Sequence, residues 1–495
     1  MYKRQTVEFA PFEVIYGGFT ACNINAVTKS GTNEVHGSAF FDYTNDDLRG
    51  DSLEGDDVNF GNFTEKRYGF EIGAPLIKDK LFIYAAYEKL EGANLFTRGA
   101  SDSNALNNVD VTQAQLDEIV QISQDLYNYD PGQIPTSLDN EDEKIFVKLD
   151  WNINDQHRAS LGYSYNDGNN FAQSDGDADE FEFQNHLFER GAEFTSYVGS
   201  FYSDWTDKFS TEVRINYIDV DNRQNSLEGD GTVGGNDFGE VQVDVGDVTV
   251  YLGSDDSRQA NDLNYDVLSL ILRGFYYFDN GHNLTFGYER DDLDIFNLFI
   301  QHTEGQLEFD SIEDFRNGFA SRVEYNGIIT GDEDVQGDLS DGAANWGYAQ
   351  NATYVQDEFY LTDDLKITAG LRYEWYTSSD RPDLNEEFLA SYGFGNDATL
   401  DGIGLLQPRL GFNYTVSDAT EVRGGLGLFS GGNPNVWVSN SFSNTNTLQT
   451  GVRGRDFGFT DGSRSLFDDD VVYLLTEDSA PVSYTHLTLP TIYSV

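Results

Sequence analysis

The clearest pattern in the chain lies between residues 346 and 376. It reads as two long strands joined by a tight turn at Thr362-Asp363-Asp364, the second of which alternates apolar and polar residues one by one. In the second run Leu365, Ile367, Ala369, Leu371, Tyr373 and Trp375 take every other position, interleaved with Lys366, Thr368, Gly370, Arg372, Glu374 and Tyr376. Successive side chains on a strand point to opposite faces, so a period of two predicts a hairpin with one apolar and one polar face. An apolar face about ten residues long, finished by aromatic rings, has the length of a strand that crosses a bilayer.

The pattern repeats. Further hairpins are predicted from 66–75 with 80–91, 143–151 with 157–166, 193–203 with 208–219, 264–278 with 282–290, and 406–415 with 420–430. With a lone first strand at 34–44 this makes about thirteen strands, and Asn280-Gly281 marks one of the tight turns. The connections alternate too. Turns of about three to five residues take turns with long polar segments at 45–65, 92–142, 167–192, 220–263, 291–345, 377–405 and from 431 onward. Short turns at one end and long loops at the other are the mark of an outer-membrane barrel, with the long loops outside the cell. A barrel of this many strands is too wide for side chains to fill, so the apolar face is expected to meet lipid and the polar face a lumen.

Composition narrows the choice. The 495-residue chain carries a formal charge of -56, a single cysteine (Cys22) and six histidines. One cysteine excludes an intrachain disulfide framework and a multi-cysteine zinc site. The acidic excess excludes nucleic acid as a partner, because phosphates call for Lys and Arg. The 29 Tyr and 36 Phe are far too many for a disordered acidic chain. No apolar run reaches the roughly 18 residues of a transmembrane helix, which leaves a barrel open because lumen-facing residues interrupt its strands. No secretory leader is visible. Residues 481–495 hold no Asp, Glu, Lys or Arg and resemble translated sequencing-adapter read-through, as does Met-Tyr-Lys-Arg-Gln at 1–5. Both ends are set aside, and the rest reads as an internal fragment of a longer protein.

Candidate chemistry is sparse. The histidines are scattered, with no His-Glu-x-x-His; there is no Gly-x-Ser-x-Gly elbow and no phosphate-binding glycine loop. Carboxylates are too abundant for any pair to single itself out as an acid and a base, so no catalytic residue and no cofactor is expected. Asp175, Asp177 and Asp179 start a calcium-loop pattern, but Glu180 and His186 stand where Gly and Glu are needed. A solvated acidic loop is the favoured reading there, with an irregular calcium site as the alternative.

Ahead of the first strand runs Tyr16-Gly17-Gly18, then Asn23-Ile24-Asn25-Ala26-Val27-Thr28-Lys29-Ser30-Gly31-Thr32-Asn33. This segment resembles the end of the plug domain of TonB-dependent outer-membrane receptors, of the Oar-like branch. Tyr354-Val355-Gln356-Asp357-Glu358-Phe359 and Gly370-Leu371-Arg372-Tyr373-Glu374 resemble that family's recurrent barrel hairpin. Ala21-Cys22 stands where a second glycine pair is common. The resemblance implies an all-β, transmembrane antiparallel barrel, incomplete, with residues 6–33 as the C-terminal end of the plug and 34–480 as the partial barrel. It implies a monomeric barrel in the outer membrane of a Gram-negative bacterium, not an enzyme, that takes up a scarce or bulky extracellular ligand. A TonB complex pulls on the plug in such receptors, and this chain lacks the segment that TonB grasps. A passive porin or surface adhesin on the same barrel remains the alternative, and a soluble secreted all-β enzyme a third. Gly17, Gly18, Asn23, Asn25, Lys29, Ser30 and Gly31 are read as junction residues that pack the plug against the wall, with a ligand-binding role as the lesser alternative. Lys29 is expected to pair with a carboxylate of the lumen.

Overall fold

The computed structural model describes residues 5–9, 11–19, 22–50, 52–53, 55–57, 61–227, 238–329, 338–445 and 447–458. The adapter-like stretch at 481–495, and residues 1–4 of the one at the start, lie outside them; Gln5 pairs with Ala26.

Thirteen strands form one antiparallel sheet in which every strand pairs with its neighbours in sequence. They are β1 (His36–Asn45), β2 (Thr64–Ile77), β3 (Leu81–Leu95), β4 (Ser137–Asn152), β5 (His157–Ala172), β6 (Phe188–Thr206) and β7 (Phe209–Ser226). There follow β8 (Ala260–Tyr277), β9 (Asn283–Ile300), β10 (Ala344–Thr362), β11 (Leu365–Thr377), β12 (Gly404–Ser417) and β13 (Thr420–Gly427). The sheet is open: β1 and β13 are its two edges. Every strand expected from the alternation is present, and the 346–376 hairpin forms β10 and β11.

The apolar face of this wall is the exposed one. On β11 Leu371 and Tyr373 are 41% and 40% exposed, while their neighbours Arg372 and Glu374 are 4% and 3% exposed. A water-soluble sheet does the reverse, so the arrangement fits strands whose outer surroundings are lipid. The turn-side ends of the strands match expectation closely. Most loop-side ends run further, though β13 stops at Gly427, short of residue 430; β9 continues to Ile300 where the alternation suggested a stop at residue 290. Eighteen residues exceed the roughly 9–11 that cross a bilayer, so β9 continues well past the lipid band. The acidic run Asp139-Asn140-Glu141-Asp142, expected in the 92–142 segment, lies inside β4.

The long segments are the larger departure from expectation. Instead of separate polar loops, several build a second sheet of six strands, in the order Glu180–Glu182, Val248–Leu252, Glu240–Val245, Gln306–Phe309, Phe319–Ile328 and Gln449–Gly458. Two helices pack with it, α1 (Gln113–Tyr127) and α2 (Ile312–Asn317). Thr112 starts α1 with a capping box to Gln115. Leu116, Ile119, Ile122 and Tyr127 then fall on one helical face and are buried with Phe181, Val243, Val250, Leu307, Phe309 and Phe315. Tyr127 stacks on Phe315 with ring centroids 4.9 Å apart. This loop-borne unit holds the largest hydrophobic core of the described residues. Its sequence signal is plain in hindsight: Val241, Val243, Val245, Val248 and Val250 alternate around the Gly246-Asp247 turn. In the β11–β12 connection lies a short helix, α3 (Glu386–Tyr392). After β13 the chain forms α4 (Asn435–Ser443), whose Val438 and Phe442 pack against Trp346 and Tyr348 of β10.

Candidate functional site

The residues at 11–19 dock on the buried polar face of β10 to β13. Strand alternation aims Gln356, Arg372, Glu374, Gln407 and Arg409 to one side, and all five are buried. Arg409 donates from Nη1 to the carbonyls of Glu13 at 2.8 Å and Tyr16 at 2.6 Å. Arg372 donates to the carbonyl of Val14 at 3.1 Å and forms ion pairs with Glu374 at 2.6 Å and Glu289 at 3.0 Å. The backbone N–H of Val14 donates to Gln356 Oε1 at 3.0 Å. Two guanidinium groups therefore satisfy carbonyls that have no strand partner, which ties an irregular segment to a regular wall. Phe429 closes the far side, edge-on to Phe12 and Phe19 and beneath the Arg409 guanidinium at 4.5 Å. The approach is tight at Gly17, where a Cβ would run into Glu374 Oε1 and lie 2.6 Å from Arg372 Nη2. Gly18 takes a left-handed φ of +65° as the chain turns away.

Of the remaining junction residues, Lys29, Ser30 and Gly31 tie the segment to the other end of the sheet. Cys22–Ala26 pairs antiparallel with Gln5–Phe9, which places Asn23 opposite Glu8 and Asn25 opposite Thr6. Asn25 also reaches the Tyr16 hydroxyl at 3.5 Å. Lys29 pairs with Glu71 of β2, whose carboxylate also accepts from Ser38 and Tyr84. Ser30 Oγ accepts from Lys148 at 3.0 Å. At Gly31 a Cβ would run into the Ile83 carbonyl and lie 2.8 Å from that of Ala74, backbone atoms that cannot swing aside. Five of the seven junction residues are thus divided between the two ends of the wall, Gly17 and Gly18 at one and Lys29, Ser30 and Gly31 at the other, while Asn23 and Asn25 lie in the two-stranded ribbon between them. Arg372, Arg409, Gln407 and Glu289 complete the dock. Their only signal in the sequence is a charged or amide side chain on the polar half of a strand.

The three acidic residues of the failed calcium pattern part company. Asp177 and Asp179 are exposed and contribute backbone atoms, a carbonyl to Arg98 and one to the Thr249 N–H. Asp175 joins His186, Glu240 and Asp255 in a compact group whose ligand-type atoms all lie within 4.8 Å of one another. His186 Nε2 is 3.1 Å from Asp175 Oδ2 and 3.9 Å from both Glu182 and Asp255. Burial pulls the His186 imidazole down, but the Asp175 hydrogen bond and the charges of Glu240, Glu182 and Asp255 push it up to about 10. Burial pushes the Glu240 carboxyl up to about 7, against the opposing pull of His186. Beside this group His302 faces Asp256 at 2.9 Å and Glu324 at 3.5 Å; against its burial, these carboxylates push it up to about 9. His186, Glu240 and Asp255 come from separate stretches of chain, so no spacing in the sequence announced them.

An open wall of lipid-facing antiparallel strands, carrying a docked segment on its polar face, defines an outer-membrane β-barrel protein. The chain matches the outer membrane beta barrel domain family over residues 27–101 and 101–464 and belongs to that family, which places it in the outer membrane of a Gram-negative bacterium. Over 78 residues it is 37% identical to the TonB-dependent transporter Oar of Myxococcus xanthus, covering 14% of this chain and 7% of that protein. Its fold is similar to the outer-membrane transporter YddB of Escherichia coli, with a TM-score of 0.53 at 13% identity over 89% of this chain and 49% of that one. A mutant of the ferric enterobactin receptor PfeA of Pseudomonas aeruginosa matches with a TM-score of 0.52 at 14% identity, covering 91% of this chain and 53% of that one. The chain spans about half the length of these structures. Proteins of known role that it resembles are transporters and receptors, not enzymes.

Proposed function

We propose that this chain is the plug end and thirteen wall strands of a TonB-dependent outer-membrane transporter for active uptake of a scarce or bulky ligand. The observation that carries this reading is the docking of residues 11–19 on Arg372, Glu374, Gln407 and Arg409. A segment that closes a lumen must be held firmly enough to seal it, yet by bonds that a pull can break one at a time. Charge-assisted hydrogen bonds to backbone carbonyls meet that need, because each is directional and is replaced by water on release. Transporters of this kind have walls of roughly 22 strands, so thirteen leave room for the missing wall that would close the open sheet. Residues 6–33 are then plug, and the long connections with their six-stranded unit face the exterior. The partners are outer-membrane lipid, an extracellular ligand and, for a protein that includes the remaining plug, a TonB complex. A passive porin or adhesin would have no use for a releasable plug.

The test is a tether across the dock in the intact gene product. Val14→Cys and Gln356→Cys, with Cys22→Ser, put one thiol on each side of the dock, at residues already joined by the bond from the Val14 N–H to Gln356. Oxidation is expected to abolish energised uptake at least tenfold, and reductant to restore it. Uptake or permeation untouched by the tether would favour the porin.

A further inference from the structure

The group around His186 has features of a metal site that an ion pair alone does not need. His186 is fully buried, and its Nδ1 lies 3.1 Å from the Gly253 carbonyl. Placing the proton on Nδ1 satisfies that carbonyl and aims the Nε2 lone pair at the carboxylates, the arrangement in which histidines bind metals. Asp255 and Glu182 are also buried, and Asp255 Oδ2 and Glu182 Oε2 have no hydrogen-bond partner. Buried carboxylate oxygens without partners are costly, and a cation between them removes the cost. Asp255 Oδ2 lies on the His186 Nε2 side, 3.9 Å away.

Around this centre the second layer is built. Glu240 accepts from Gln242 at 2.6 Å, Gln306 at 2.8 Å and the Asp256 N–H at 2.8 Å, which fixes its carboxylate in place. Asp175 is partly exposed and offers an entry path. Four tetrahedral bonds of about 2.0–2.2 Å hold ligand atoms about 3.3–3.6 Å apart. The separations here, all within 4.8 Å, close to that range by side-chain shifts of roughly 1 Å.

We propose that His186 Nε2, Asp175, Asp255 and Glu240 bind one divalent transition-metal ion, Zn2+ or Mn2+, which clamps the β5–β6 and β7–β8 connections together. Imidazole among the ligands favours these ions over Ca2+, which takes oxygen ligands throughout. Two ligands come from each connection, so the ion reinforces a junction that the six-stranded sheet and the His186–Gly253 contact already make. The 86 Asp and Glu of the chain will bind cations weakly everywhere, so the test must separate one tight site from that background.

The full chain, folded in detergent micelles and stripped with chelator, is titrated with Zn2+ by calorimetry, with Ca2+ as control. One Zn2+ per chain is expected, about 100-fold tighter than the remaining binding, with no matching site for Ca2+. Mn2+ at the same site should show nitrogen coupling in its electron spin resonance. His186→Gln should abolish that coupling and the tight Zn2+ binding. Asp255→Asn retains the His186–Asp175 pair and hence the fold, so it decides the matter if the first variant does not fold. It should weaken Zn2+ at least tenfold. Zn2+ binding no tighter in the parent chain than in Asp255→Asn, or Mn2+ without nitrogen coupling, would show an imidazolium–carboxylate pair only and overturn the proposal.

Discussion

Strand β11 and the pair of strands at 240–252 carry the same alternating pattern and bury opposite halves of it. In β11 Leu371 and Tyr373 are exposed, while Arg372 and Glu374 are buried against the docked segment. In the loop-borne unit Val241, Val243 and Val250 are buried and the polar positions lie outward or join the His186 group. The difference teaches that alternation reports two chemically distinct faces and nothing about which one is inside. The surroundings decide that. Where lipid is outside, apolar surface loses nothing by exposure, and the wall is held by its backbone ladders. Where water is outside, hydrophobic burial dominates.

The inversion even occurs within single strands. Near the turns, β9 points Phe286 outward, whereas further along Leu293 and Ile295, of the opposite parity, are buried. In β10 Val355 faces outward, while Trp346 and Tyr348 turn inward onto α4, with the Trp346 indole donating to Ser439 at 3.0 Å. The phase of the apolar face changes where the strand leaves the lipid band.

This contrast can be broken from either side. The largest effect is expected from Phe315→Ala, which empties a fully buried site between Tyr127 and Phe309. It should cost the loop-borne unit about 3–5 kcal/mol in denaturant melts, while the heat-modifiable migration of the wall is unchanged. Loss of both together would mean that the two regions fold as one. Next comes Leu371→Lys on the lipid face, expected to cost about 2–4 kcal/mol for folding into vesicles and little in the loop-borne unit. An unaffected vesicle-folding yield would mean that Leu371 does not meet lipid.

The smallest effect is one of pH. His302 stands at about 9 in the fold, above its ordinary value of 6.5, held by Asp256 and Glu324, with Arg322 and Arg453 pairing Glu324 from the other side. A raised value means that its stabilisation is complete below pH 6.5 and disappears as pH climbs through 9. The loop-borne unit should therefore lose no more than about 3 kcal/mol over that window, and His302→Gln should flatten the slope. A parent profile flat between those limits would remove His302 from the account.

Legibility followed the same division. The wall could be read because lipid imposes one rule on thirteen strands, and turns such as Asp279-Asn280-Gly281 punctuate it. The loop-side ends were missed because the rule changes phase at the membrane boundary, so β9 seemed to end near Arg290. Helix α1 was legible in principle, through Thr112, Gln115 and the spacing of Leu116 and Ile119, but it sits in a stretch whose length and polarity suggested a loop. The His186 group was not legible at all. Its Glu240 and Asp255 carboxylates and its His186 imidazole are buried, although sequence rules place such groups at the surface, and each owes its burial to residues remote along the chain.

What the sequence determined by itself is the local period: where strands run, where they turn, and that each has two unlike faces. It also carried the junction segment at 16–33 that resembles a plug end. The strand count further implied that the wall turns its apolar face outward; only the tertiary structure decided that this face inverts beyond the lipid band, that the long connections share a core, and that Arg372 and Arg409 hold residues 11–19. Period is a property of neighbouring side chains, whereas burial and pairing depend on what the fold brings across a gap, and that information is written in no single stretch of chain.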